Sequence, residues 1–288
     1  MTDHREPISA ASSASPDHRG HGHFDFTSLV FRHPYGDFTA VVHPAARTDD
    51  FEPDERRRLR QLIRDADPAS PLPDLSDQLF DETMGFVGPD EDRLVRPTVC
   101  GLLMQGRSEA LACLLPTAVA VFQVLEGTGR ATRNDDYRLP IAACFEQILN
   151  DFREWNGVPD RDSDSVPGRP HFSEELFAAV LENAFIHREY RSYGFVRVAF
   201  DDGGLDVTST GAFCTGVTAE NVSETGPVRR NPCLARAVGL LGLTGVSHCG
   251  LAEFTESLRF RDIQAPDFSG STEAYVRAQL YPVRRVCR

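Results

Sequence analysis

The sequence predicts an α/β chain of two-layer α+β type: an N-terminal mixed α/β region, then a domain with a helix laid on a sheet. Three stretches carry this prediction. Residues 173–190 place Phe177, Val180, Leu181, Ala184 and Phe185 at helical spacing, an apolar stripe for a core. Residues 195–200 then alternate like a strand, turn through Asp201-Asp-Gly-Gly204 and return along residues 205–209. Residues 118–125, Ala-Val-Ala-Val-Phe-Gln-Val-Leu, form a nearly continuous apolar run suited to a buried strand.

Taken in order, residues 1–23 are rich in Ser, Pro, Asp and His and are expected to be a disordered tail. The tract His18, His21 and His23 reads as part of that solvated tail. Residues 27–32 and 37–42 read as strands joined around Pro34-Tyr-Gly36. Residues 53–63 read as a helix, acidic at its start and arginine-rich after it. Glu126-Gly-Thr-Gly129 is a turn, and residues 140–152 form an amphipathic helix.

Residues 157–170 are rich in Pro, Gly and Asp and mark the domain boundary. Asp160, Asp162 and Asp164 alternate as in a calcium loop but lack its glycine and terminal glutamate. Beyond them, Ser173 is a helix N-cap, with Glu174 and Glu175 where the helix dipole favours negative charge. Asn183 and His187, four apart, share a face of this helix, and Ala179 lies one turn before Asn183. Residues 216–221 open a turn or short helix, and residues 229–235 start another helix with Pro232 in its first turn. Residues 245–251 form a glycine-punctuated loop, and residues 272–281 a last strand. The expected domains are therefore the tail 1–23, a region 24–156, the linker 157–170 and a domain 171–288.

Composition narrows the chemistry. All 30 basic residues are arginine, so a P-loop lysine, a Schiff-base lysine and a lysine general base are excluded. Phosphate recognition would have to rest on arginine, backbone N–H groups and metal. A net charge of −13 disfavours nonspecific nucleic-acid binding. There is no run of 18 apolar residues and no signal-like start, so a soluble, cytoplasmic protein is expected, without membrane association. Seven widely spaced cysteines without a C-x-x-C pair argue against a disulfide framework or zinc site.

Several of these stretches recur together in one family. Asn183-Ala184, His187-Arg188-Glu189-Tyr190, Ser209-Thr210-Gly211, Arg230-Asn231-Pro232 with Leu234-Ala235, and Gly250-Leu251 occur in that order. The order resembles the C-terminal ATP-binding module of RecG-like, Schlafen-AlbA predicted bacterial regulators, which is similar to the GHKL ATPase fold. That family reads E-A-L-V-N-A-x-x-H-R-D-Y, hairpin, S-P-G-G, S-R-N-P-x-L-A and G-T-G-I. Residues 96–106 resemble its P-T-x-A-G-L-L-L-F-G segment, and the region 24–156 would hold a remnant of its AlbA domain. After the last strand, residues 282–288 are too few for the winged helix that often follows in relatives, so none is expected.

The resemblance implies a nucleotide site formed by Asn183, His187, Arg188, Ser209, Gly211, Arg230, Asn231 and Gly250. ATP and Mg2+ would be its ligands, with Asn183 holding the metal through the nucleotide. The pattern also breaks. The family's general-base glutamate falls on Ala179, its second glycine on Ala212, and its G-T-G on His248-Cys249-Gly250. Weak catalytic candidates are then Glu182, His187, His248 and Cys249, with Glu182 about 100° around the helix from Asn183.

The expected function is a degenerate, pseudo-ATPase nucleotide-binding protein acting as a regulator or scaffold, through a protein partner or as a homodimer. The alternatives are an enzyme that has turned the pocket to another reaction, or a DNA-associated transcriptional regulator. On this scheme Ala179→Glu is expected to restore hydrolysis.

Overall fold

A computed structural model describes residues 24–127, 129–156, 171–201, 204–222, 224–226, 228–244 and 263–283. Its centre is a five-stranded mixed sheet in the order β4-β3-β5-β6-β7. The strands are β3 (Ala120–Glu126), β4 (Arg130–Tyr137), β5 (Val196–Asp201), β6 (Gly204–Thr210) and β7 (Tyr275–Leu280). β3 runs parallel to β5, with Ala120 opposite Val196 and Val124 opposite Phe200. The other neighbours are antiparallel. Strands from either side of residues 157–170 thus share one sheet.

The pleat sorts this sheet into two faces. Phe122, Val196, Val198, Leu205, Val207, Ala278 and Leu280 are buried on one face. The other face carries polar cross-strand pairs, Arg197 donating to Gln123 and Arg277 to Asp206. Helices α6 (Ile141–Trp155) and α7 (Glu174–His187) cover the apolar face. They meet through Phe152 and Phe177, stacked with centroids 4.1 Å apart, and through the ion pair Arg153–Glu174 at 2.6 Å. The architecture is therefore the two-layer α/β arrangement that the sequence predicts.

Helix α7 begins as expected, with the Ser173 hydroxyl accepting from the Leu176 N–H. It is more deeply enclosed than the apolar stripe implies, since Leu176 through Glu182 are all buried. It also stops at His187 rather than continuing to Tyr190, because the backbone at Arg188 turns extended (φ −60°, ψ 141°).

Ahead of the sheet lie α1 (Phe26–Arg32), α2 (Pro53–Ala66), α3 (Asp77–Met84), the short β1–β2 pair (Val87–Pro89, Val95–Pro97), α4 (Val99–Gln105) and α5 (Ser108–Leu114). Two expectations are corrected here. Residues 27–32 are helical, not extended: Asp25 accepts from the Ser28 N–H, and Phe26 and Leu29, three apart, are buried. Residues 38–40 form a 3-10 turn because the Asp37 carboxylate takes both the N–H and the hydroxyl of Thr39.

Helix α8 (Pro232–Gly239) has Pro232 in its first turn, as expected. Its N-terminus is capped from the far end of the chain: Asp37 accepts from the Cys233 N–H at 2.6 Å, and the Thr39 hydroxyl accepts from Leu234. Cys100 and Cys144 are buried, and the five described cysteines are all free. Among the described residues no helix is long and apolar enough to cross a membrane. The His18–His23 tract and the Asp160–Asp164 segment lie outside the described residues.

Candidate functional site

Between α7, β6, β7 and the residues 211–222, 225–226 and 228 lies a cavity of about 150 Å³. Helix α7 supplies Val180, Asn183, Ala184 and His187, and β6 supplies Val207 and Ser209. Phe213, Val217 and Val222 close it from the loop side. The sequence reading missed these loop residues; large apolar side chains among the Gly and Thr of residues 211–226 were the available signal.

Asn183 and His187 come together on the cavity wall, as their four-residue spacing predicts. The Asn183 amide donates to the Ala179 carbonyl at 2.8 Å. Burial, with Arg230 and Arg229 nearby, pushes the His187 pKa down to about 4. At neutral pH the ring is therefore uncharged and offers one donor and one acceptor. Ser209 is buried and donates to the Ala184 carbonyl at 2.8 Å.

The other expected nucleotide contacts are occupied by a different task. A helix leaves its last four carbonyls without intrahelical partners. At the end of α7 each of these finds a side-chain donor. Ser209 serves Ala184, the Tyr190 hydroxyl serves Phe185 at 3.0 Å, Asn231 serves Ile186 at 2.8 Å and Arg230 serves His187 at 3.0 Å. Arg230 also donates to the Ala212 carbonyl at 2.6 Å, tying the cap to the loop after β6. Arg230 and Asn231 do not line the cavity.

Gly211 belongs to this cap. Its φ is +105°, and a Cβ there would sit 2.3 Å from Arg230 Nη1 and 2.7 Å from Glu189 Cβ. The glycine makes room for the arginine clamp, although it also borders the cavity.

Arg188 is placed away from the cavity, 1% exposed, with its guanidinium 4.9 Å over the Tyr190 ring. Glu182 and Ala179 are buried and likewise do not line the cavity. Position 179 therefore offers no direct route to a ligand there, and the expectation that a glutamate at this position restores hydrolysis loses its geometric basis. His248, Cys249 and Gly250 lie outside the described residues.

The donor set decides what the cavity can hold. No Arg, Asp or Glu among the described residues lines it. Mg2+ in nucleotide sites takes most of its oxygens from water and phosphate, so the Asn183 carbonyl could supply one ligand and the phosphates would have to be held by other groups. A triphosphate needs cations or a cluster of backbone N–H groups. These residues do not fit the phosphate end of Mg-ATP. They fit an uncharged molecule that fills the apolar walls and uses Asn183 and His187 for orientation.

Comparisons with known proteins add little chemistry. Residues 33–120 match the model of a domain of unknown function, DUF8451, a stretch that lies outside the cavity. No curated protein matches the chain. The crystal structure of the DIP2311 protein from Corynebacterium diphtheriae is similar in fold, with a TM-score of 0.61 and 19% identity over 91% of this chain. The chain spans 51% of that protein's length.

Proposed function

We propose that the chain is a degenerate GHKL-type ligand-binding module, a pseudo-ATPase that acts in the cytoplasm as a regulator or scaffold. Its cavity takes an uncharged small molecule with a flat hydrogen-bonding ring, such as a nucleoside, and phosphates contribute nothing to binding. The observation that carries this reading is a cavity wall that bears no charged side chain among the described residues, combined with the use of Arg230 and Asn231 as a helix cap. The motif order still resembles the RecG-like, Schlafen-AlbA module. In this chain its polar residues hold the end of α7 in place against β6.

Such a module would transmit occupancy through α7, whose Asn183 and His187 touch the ligand space while its C-terminal end is fixed to β6 and α8. The test is to incubate purified protein with Mg-ATP and to measure phosphate release beside the thermal shift produced by adenosine. Background turnover with an adenosine-induced shift is expected. Steady turnover by the unmodified protein would overturn the reading.

A further inference from the structure

Two cysteines from distant parts of the sequence meet where α4 and α8 begin. Cys100 lies in the first turn of α4 and is 0% exposed, whereas Cys233, in the first turn of α8, is half-buried. One carbonyl ties the two turns together. Gly85 accepts from the hydroxyl of Thr98, the N-cap of α4, at 2.7 Å, and from Cys233 Sγ at 3.8 Å. Residues 39–41 add a second tie, since the Thr39 hydroxyl accepts from the Leu234 N–H and the Val41 carbonyl from the Val99 N–H. Held in this way, the Cys100 thiol donates a hydrogen bond to the Cys233 sulfur.

The two sulfurs are chemically unequal. The hydrogen bond it donates, followed by burial, pushes the Cys100 thiol well up, so it keeps its proton. Cys233 moves the other way. The Cys100 S–H lowers its pKa first, with help from the Arg236 guanidinium. Arg236 is close at hand: a Cβ at Gly85 would meet Cys233 Sγ at 3.1 Å and Arg236 Nη2 at 3.2 Å. Burial and the Asp37 carboxylate, which accepts from the Cys233 N–H at 2.6 Å, oppose this without reversing it. The thiolate is the nucleophile, so the more accessible sulfur is also the more reactive one.

We propose that Cys100 and Cys233 form a peroxide-reactive modification site, in which Cys233 attacks, Cys100 resolves, and the pair closes reversibly to a disulfide. In the first step the Cys233 thiolate attacks one oxygen of hydrogen peroxide. The S–O bond forms as the O–O bond breaks, and the hydroxide released takes a proton from solvent to become water. The sulfur is oxidised to a sulfenic acid and the peroxide is reduced. In the second step Cys100 sulfur displaces the sulfenic hydroxyl, which leaves as water with the Cys100 proton. The bond ties α4 to α8, directly beside the Arg230 and Asn231 side chains that cap α7. Neither cysteine lines the large cavity, so the site stands apart from ligand binding there.

The test uses the full chain, reduced, exposed to a small molar excess of hydrogen peroxide, alkylated, and mapped by mass spectrometry without reduction. A linked peptide pair holding Cys100 and Cys233 is expected, and dithiothreitol should release it. Cys233 should be consumed on the order of tenfold faster than the exposed Cys113, which serves as the internal reference. In Cys100→Ala, Cys233 should stop at the sulfenic acid and be captured by dimedone, and in Cys233→Ala, Cys100 should stay reduced. Because either substitution could disturb the packing, the map of the unmodified protein decides. Cys233 still reduced when Cys113 is oxidised, or oxidised without linkage to Cys100, overturns the proposal.

Discussion

The Asn231 side-chain amide donates to the carbonyl of Arg188 at 2.8 Å, and to that of Ile186 at the same distance. One residue from α8's start thereby closes the end of α7. Asn231 occupies the N-cap position of α8 but makes no cap bond there; Asp37 does that instead. Asn231→Ala should therefore act through α7. Leaving two enclosed carbonyls unpaired is expected to cost about 2–4 kcal/mol. Asn231→Asp should cost at least as much, since a carboxylate would face carbonyls at a helix C-terminus. Urea denaturation reads both, and an unchanged midpoint for Asn231→Ala would contradict the cap.

Gly211 and Arg230 should be coupled. Gly211→Ala forces a side chain into a φ of +105° and against Arg230 Nη1, and about 1–3 kcal/mol of stability should be lost. Adding Arg230→Ala removes one of the two clashes, so the double variant should be less damaged than the sum of the singles. Additivity in a double-mutant cycle would show that the arginine does not set the requirement for glycine.

His187 gives a pH signature. Its folded pKa of about 4 lies below the unfolded value of about 6.5. Between those values the unfolded chain binds the proton and the folded chain does not, so stability falls as pH drops from about 6.5 to about 4. Above that window the residue contributes no pH dependence. His187→Gln should lose less stability than the unmodified protein across the same window, measured by denaturant midpoint at several pH values. Parallel pH curves for the two proteins would contradict the burial of a neutral ring.

Position 179 separates the sequence expectation from the structural one. Ala179 is 4% exposed and is not part of the cavity wall. Ala179→Glu would bury a carboxylate among apolar neighbours, so a loss on the order of 3 kcal/mol and no gain of ATP hydrolysis are expected. A stable, hydrolysing variant would restore the general-base scheme.

The long periodic elements were legible in the sequence. Ser173 announced the start of α7, Asp201-Asp-Gly-Gly204 the hairpin, and Pro232 the start of α8, because each rests on local chemistry. Residues 27–32 misled because a short apolar run fits a helix as well as a strand. Asp25 followed by Ser28 was the signal that could have decided it. At the site, Asn183 and His187 were readable from helix spacing alone. Arg188, Arg230 and Asn231 were not, because their partners lie at Gly194, Ala212 and Ile186 and depend on how α7, β6 and α8 meet. A motif preserves residue types and order, and it does not say whether a guanidinium faces a ligand or a helix end.

The most direct test compares adenosine with ATP by titration calorimetry, with and without Mg2+. A cavity without charged side chains among its described lining residues predicts equal affinity for the two ligands within about threefold, a factor worth under about 1 kcal/mol, and no effect of the metal. ATP binding more than about tenfold tighter than adenosine, and dependent on Mg2+, would contradict the account, because it would require the phosphate contacts that Arg230 and Asn231 have given up to the end of α7.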